Sequence, residues 1–175
     1  MMHPFEYLQN IEQQSRFNAS ALPQQVESVA TWRGIGFMLA GQSYVANMAE
    51  VVEILQPPRV TRVPGVKNWV MGIANVRGRM VSVMDLAGLL NLPVKTGWRS
   101  QRVLVIEQND HLVGLLVDAV LGMQTFPVDR EAPVTDLPES LARFVERGFG
   151  RDGRVWPVLQ LGEITQSPEF LHIAV

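Results

Sequence analysis

The most constraining feature of the chain is a strand-turn-strand pattern in residues 69–86 that returns in its second half. At the offset that separates Arg79 from Arg154, 75 residues, several residues match by identity or type. The matched stretches are Trp69-Val70, Gly78-Arg79, Val83 and Leu86 in the first half and Phe144-Val145, Gly153-Arg154, Val158 and Leu161 in the second. The pattern predicts two related halves. Two unrelated β-rich segments could share the same apolar spacing, and the sequence leaves this alternative open.

A second correspondence, at a slightly different offset, involves the strands that precede this pattern. Residues 35–39 and 44–54, separated by a Gly-containing turn, resemble residues 103–107 and 112–120, separated by a turn at Asn109-Asp110. Each half therefore reads as a strand pair, an irregular link and another strand pair. Strands at this frequency favour small barrels over a βαβ sheet, so we expect an all-β fold with a few short helices.

Composition limits the class of protein. The 175 residues are 47% hydrophobic and 18% charged, which suffices for one ordinary domain or two small intertwined lobes. No apolar run approaches the roughly 20 residues needed to cross a bilayer, and the N-terminus lacks the pattern of a secretory signal. The absence of cysteine rules out disulfides and thiolate chemistry and is compatible with the cytoplasm. We therefore expect no direct membrane insertion.

Charge argues against nucleic-acid binding. The formal net charge is −2, and lysines and arginines are scattered along the chain. A protein that grips phosphates draws its affinity from clustered cations, which this sequence does not show.

Residues 1–31 read as an N-terminal extension. Apolar residues at Phe5, Leu8 and Ile11 follow the spacing of an amphipathic helix. Such a helix either packs on its own domain or docks on a partner, and the sequence allows both.

A search for catalytic or metal-binding chemistry gives little. The three histidines, His3, His111 and His172, have none of the companions that a metal motif requires. Nucleophile elbows, phosphate-binding loops and dinucleotide fingerprints are absent. Four acids fall at strand ends, where turn formation is their common role: Glu50, Glu53, Asp85 and Asp118. We expect no enzyme activity, no cofactor and no metal.

Binding is the remaining kind of function, and the bend at residues 75–79 is the best place for it. Gly78 can adopt backbone angles that side chains forbid, and Asn75 can close the bend with its side-chain amide. Arg77 is then displayed with a planar fork of donors that suits a carboxylate or a helix C-terminus. Alternatively, Arg77 pairs internally with an acid such as Glu53 and only fixes the fold.

Three segments in order give the chain a family resemblance. They read FMLAGQSYVANMAEVVEI, VPGVKNWVMGIANVRGRMVSVMDL and RVLVIEQNDHLVGLLVDAV, and together they resemble the CheW-like chemotaxis adaptor family over residues 32–165. The resemblance implies two small SH3-like five-stranded β-barrels, intertwined within a CheW-like domain at residues 32–175. It also implies a non-catalytic protein.

The family's role implies the partners. The resemblance implies a signal-transduction adaptor that couples the cytoplasmic tip of a methyl-accepting chemoreceptor to the regulatory domain of a CheA-like histidine kinase. It further implies a cytoplasmic location, associated with membrane chemoreceptor arrays. The stretches WRGIGFML and GMQTFPVD are similar to the adaptor subgroup of type IV pilus twitching motility systems. A small-molecule-binding β-barrel sensor is the alternative, with the groove between the barrels as its pocket.

Matching by motif also assigns receptor-contacting positions, in a groove between the barrels. They are Val51, Glu53, Gly72, Arg77, Gly78 and Gly114. The resemblance places the kinase contact at apolar barrel ends and assigns no residues to it. Ser82 stands where the family signature has proline, and Gln160 replaces an expected acid.

Overall fold

A computed structural model describes residues 30–93 and 100–175, which form a mainly β structure with a few short helices. The strands are β1 Thr31–Leu39, β2 Gln42–Asn47, β3 Val51–Leu55, β4 Val70–Val76, β5 Arg79–Asp85, β6 Arg102–Gln108, β7 His111–Val117, β8 Ala119–Pro127, β9 Glu131–Ala132, β10 Val145–Arg151 and β11 Arg154–Leu159. The helices are α1 Leu86–Leu89, α2 Glu139–Ala142, α3 Leu161–Gln166 and α4 Pro168–Leu171, with a 3₁₀ turn at Val128–Arg130. This confirms the predicted all-β class.

The strands form two sheets. The first sheet has the order β8-β1-β2-β11-β10-β9, and the second has the order β3-β6-β7-β5-β4. Most neighbours are antiparallel, but β2 pairs with β11 and β5 pairs with β7 in parallel. The second sheet has the expected five strands, whereas the first has a sixth, because the two-residue β9 adds to the edge of β10.

The two sequence halves exchange strands between the sheets. The predicted 75-residue offset carries the β4-β5 hairpin onto the β10-β11 hairpin, and the earlier strand pairs correspond to β1-β2 and β6-β7. The first sheet joins β1-β2 to β10-β11, and the second joins β6-β7 to β4-β5. Each sheet therefore contains one hairpin from each half, joined through a parallel pair, so neither half can complete a sheet alone.

Apolar side chains are buried in three clusters, one of which lies between the sheets. This shared core takes residues from both sheets, among them Ile35, Phe37, Leu39 and Tyr44 of the first and Leu104, Ile106, Leu115 and Val117 of the second. A first-sheet cluster contains Val45, Phe126, Phe149 and Val158. A second-sheet cluster contains Ala74, Val81, Val83, Val103, Val105, Leu112 and Leu116.

The three clusters explain why the central strands are continuous apolar runs. Successive side chains of a strand point to opposite faces, and in β6 Val103 and Val105 enter the second-sheet cluster while Leu104 and Ile106 enter the shared core. Strands covered on both faces lose the usual alternation of apolar and polar residues. Burial on both faces therefore explains why residues 103–106 of β6 are all apolar.

Short helices and side-chain hydrogen bonds close the ends of the sheets. Asp85 caps α1, because its Oδ1 accepts from the Ala87 N–H at 3.1 Å. The C-terminal residues form α3 and α4. Arg143 Nη1 donates to Glu169 Oε1 of α4 at 2.9 Å, and this hydrogen bond lowers the pKa of the Glu169 carboxyl.

Two predictions concern helices, one in the N-terminal extension and one about crossing a membrane. The predicted amphipathic helix at Phe5, Leu8 and Ile11 lies outside the described residues. Among the residues that are described, no helix has the length and apolar character needed to span a membrane.

Candidate functional site

The candidate site is centred on the turn between β4 and β5. Arg77 and Gly78 both have positive φ, 51° and 82°, the geometry of a tight two-residue hairpin that matches the twist of the strands. Asn75 Oδ1 accepts from the Gly78 N–H at 2.9 Å, as the sequence predicted. The turn therefore has one preferred shape, and it holds the Arg77 side chain out at the end of a rigid hairpin.

Arg77 has a partner within the chain and remains open to solvent. Its Nη1 lies 3.0 Å from Oε1 of Glu53 on β3, while 80% of the arginine side chain and 30% of the glutamate side chain are exposed. The internal pairing considered from the sequence is thus present. An exposed pair contributes only about 0–1 kcal/mol to stability, so its main effect is to orient the guanidinium. The pair does not exclude the binding alternative, because an oriented and exposed guanidinium can still receive a carboxylate.

A second arginine stands beside the first. Arg79 Nη2 lies 3.6 Å from Oε1 of Glu107 on β6, and both side chains are about half exposed. Arg77, Arg79 and Glu53 rim a shallow depression of about 170 Å³ whose lining includes Val76 and Val105. A charged rim around an apolar floor is the usual composition of a protein-binding patch.

Gly72 is buried in β4, where the backbone at Thr61 comes close to the strand. It has φ of 139° at a bulge in β4, and a Cβ built there would lie 2.2 Å from the carbonyl oxygen of Thr61. Thr61 and Ile73 exchange two backbone hydrogen bonds of 2.8 and 2.9 Å. Only glycine permits this close approach, which fastens the link between β3 and β4 to the sheet.

Gly114 is also buried and has a packing role. It lies in β7 between Val83 of β5 and Val105 of β6, and its Cβ would meet Val103 Cγ1 at 2.6 Å. A side chain at this position would displace the second-sheet cluster.

The six sequence-predicted positions all lie in the second sheet or its β4–β5 turn, and of these Glu53 and Arg77 are in direct contact. All of them belong to β3, β4, β7 or the β4–β5 turn of the second sheet, where Val51 opens β3 opposite Ile106. The depression lined by Glu53 and Arg77 is formed by second-sheet residues alone. A larger depression of about 630 Å³, between β3, β6 and α3, is lined by none of the six.

The sequence analysis missed the exposed apolar residues of β3. Val52 is 52% exposed and Ile54 is 39% exposed, and they alternate with the half-buried Val51, Glu53 and Leu55. The strand lies at one edge of its sheet, and Val52 lines the same depression as Arg77. Alternation in VVEIL is the signal that could have identified this face, but with four apolar residues out of five the polar side is not evident.

Metal-ligand geometry is missing from the part of the chain that the structure describes. Residues 30–93 and 100–175 contain no group of three or more His, Asp or Glu side chains placed to hold a metal ion. His111 is exposed at the start of β7, and the His172 ring nitrogen lies 2.8 Å from the carbonyl oxygen of Pro168.

Comparison with known proteins gives a consistent result. The family model of the CheW-like domain matches residues 33–169. The chain is 44% identical over 173 residues to Protein PilI of Pseudomonas aeruginosa, which covers 98% of this chain and 97% of that protein. It is 26% identical over 152 residues to the chemotaxis protein CheW of Helicobacter pylori, covering 85% of this chain and 90% of that protein.

A solved structure has the same fold. The crystal structure of the scaffolding protein TtCheW from Thermoanaerobacter tengcongensis superposes with a TM-score of 0.69 at 21% sequence identity. The match covers 80% of this chain and 96% of that one.

Proposed function

The chain belongs to the family of CheW-like domain proteins, and we propose that it is a chemotaxis-type adaptor that couples a chemoreceptor to a CheA-like histidine kinase. The observation that carries the receptor-binding part is the Arg77 turn: an exposed guanidinium, oriented by Glu53, at the rim of a depression with an apolar floor. This arrangement is suited to recognising another protein surface.

The receptor contact is assigned to the second sheet. Arg77 supplies a planar donor fork for a carboxylate or for the carbonyl groups at a helix end. The exposed side chain of Val52 on β3 lines the same depression and supplies apolar area that is removed from water on binding. Gly72 and Gly114 support this surface from within, and Gly78 gives the turn its shape.

The kinase contact is proposed at a separate surface. The family resemblance places it at apolar barrel ends that pair with a similar barrel in the kinase regulatory domain. An adaptor with two separate surfaces raises the effective concentration of receptor and kinase relative to one another. It also lets a receptor conformational change bias the kinase, provided that the adaptor's contacts differ between the two states.

The proposed role requires no chemistry on the adaptor itself. We expect the protein to be non-catalytic and free of cofactors, and to reside on the cytoplasmic side of a membrane array of methyl-accepting receptors. The similarity to Protein PilI supports an output to type IV pilus motors and twitching motility. The family assignment gives no support to the small-molecule sensor considered from the sequence.

The experiment that tests the proposal is reconstitution of a ternary complex. The purified chain is mixed with a receptor cytoplasmic fragment and with the kinase regulatory domain, and the mixtures are separated by size-exclusion chromatography. We expect each binary complex and a ternary complex, with receptor and kinase domain eluting separately when the adaptor is omitted. The proposal would be overturned if the chain failed to bind the receptor fragment, the kinase domain or both.

A further inference from the structure

The outer strand of the first sheet, β8, exposes apolar side chains at an unpaired edge. Among the described residues β8 pairs with β1 only, and Leu121, Met123 and Val128 at or just after the strand are 39%, 58% and 44% exposed. Met123 is opposite Ile35 of the shared core, so the two side chains share a face of the sheet. Proteins usually cover long apolar edges of this kind with a helix or loop.

The local backbone of β8 disfavours another strand as the cover. A register shift opposite Gly36/Phe37 coincides with Gly122, whose φ is 82°, which marks a bulge. Gln124 Nε2 donates to the carbonyl oxygen of Leu121 at 3.0 Å and so occupies one edge acceptor. Bulges and occupied acceptors interrupt the ladder that an added strand needs, whereas packing against a helix face needs only the side chains.

We propose that the N-terminal segment, through the apolar residues Phe5, Leu8 and Ile11, docks on the β8 edge of its own chain. The segment joins the described structure at Ala30, whose carbonyl oxygen accepts from the Val128 N–H at 2.9 Å, so the chain leaves the sheet at one end of the exposed row. The seven residue-to-residue steps from Val128 back to Leu121 span about 23 Å. Residues 4–17 would span about 21 Å as a helix, and residues 18–29 reach about 40 Å when extended. The segment is thus long enough to cover the row.

Charge supports the same occupant. Residues 1–29 carry three glutamates, Glu6, Glu12 and Glu27, against the single Arg16. Arg33 is exposed on β1, opposite Thr125 of β8, and no ion-pair partner for it is present among residues 30–93 and 100–175. An acidic amphipathic segment lying along β8 would bring carboxylates to this guanidinium.

The absence of cysteine in the chain permits a clean proximity test on the full-length protein. The double variant Leu8→Cys/Met123→Cys is treated with a short bismaleimide at low protein concentration, and intramolecular cross-links are identified by mass spectrometry. Leu8→Cys/Leu171→Cys is the matched control, because Leu171 is also apolar and 66% exposed but lies on α4. We expect at least tenfold more intramolecular product for the Met123 pair than for the control pair.

Two cross-linking results would overturn the proposal. Equal yields for the two pairs would show that the segment has no preference for β8, and cross-linked dimers as the main product would show a second copy of the chain as the occupant. If the Met123→Cys variant melts below the parent, the pair Ile11→Cys/Leu121→Cys is used with the same criteria. As a second readout, hydrogen exchange of residues 119–127 should accelerate in the full-length Leu8→Glu variant, and unchanged exchange would contradict the docking.

Discussion

Arg77 combines an internal ion pair with high exposure, which separates its contribution to binding from its contribution to the fold. The pair with Glu53 is 3.0 Å long, but 80% of the arginine side chain faces solvent. Water and salt screen exposed pairs, so loss of the pair costs little stability. The position can therefore be changed without unfolding the hairpin that displays it.

Two positive-φ glycines at the site predict different costs for the same substitution. Gly72→Ala should lower the free energy of unfolding by about 2 kcal/mol or more, because the new Cβ would collide with the Thr61 backbone. Gly78→Ala should cost only about 1 kcal/mol, since it has φ of 82° but nothing within 4 Å of the added atom. Urea denaturation of both variants measures the difference. Equal losses would mean that the approach of Thr61 to Gly72 does not hold.

The strand β5 allows a test of side-chain facing. Val83 is 1% exposed in the second-sheet cluster, whereas Met80 on the same strand is 62% exposed. Val83→Asp should abolish cooperative folding, because an unpaired charge in a packed interior costs several kcal/mol. Met80→Asp, the matched control, should melt within a few degrees of the parent. Circular dichroism melting curves decide the outcome. A cooperative transition like the parent's in Val83→Asp would contradict the burial of Val83.

At the scale of elements, the sequence predicted what local chemistry determines. The two hairpins at β4-β5 and β10-β11 were predicted from spacing, and Asn75 was predicted to close the β4–β5 bend because its side chain acts on its nearest neighbours. The six positions of the site came from motif resemblance, and all of them lie in the second sheet or its β4–β5 turn.

Long-range pairing is what the sequence could not supply. The partners of β2 and β5 are the distant strands β11 and β7, and nothing in the spacing of either strand specifies a parallel neighbour. For the same reason, the motif resemblance names Glu53 and Arg77 without stating which sheet lines the depression between them. Gly72 and Gly114 could be identified as important, but their burial depends on chain segments far away in sequence.

The whole molecule has one shared core, so its two sheets should unfold together. Leu104 is 0% exposed in that core, where side chains of both sheets meet. Leu104→Ala should lower stability by about 2–5 kcal/mol, and hydrogen exchange should report the same loss in both sheets. Val52→Ala, at an exposed position of β3, is the control and should be nearly neutral. Destabilisation confined to the second sheet would show that the two sheets are independent folding units.

The shared core also has a functional consequence at this scale. A core shared by both sheets would hold the proposed receptor-binding surface in a fixed position relative to the rest of the molecule. In the proposed adaptor, signalling then depends on the geometry of the interfaces.

The most direct test of the account is a binding titration of the Arg77→Ala variant. The parent, Arg77→Ala and the control Arg143→Ala, which also removes an exposed ion pair but lies outside the depression, are each titrated against the receptor cytoplasmic fragment and, separately, against the kinase regulatory domain. We expect Arg77→Ala to melt like the parent and to bind the kinase domain unchanged, but to bind the receptor at least tenfold more weakly than either the parent or Arg143→Ala does. Receptor binding by Arg77→Ala at the parent's affinity would contradict the assignment of the receptor contact to the Arg77 turn.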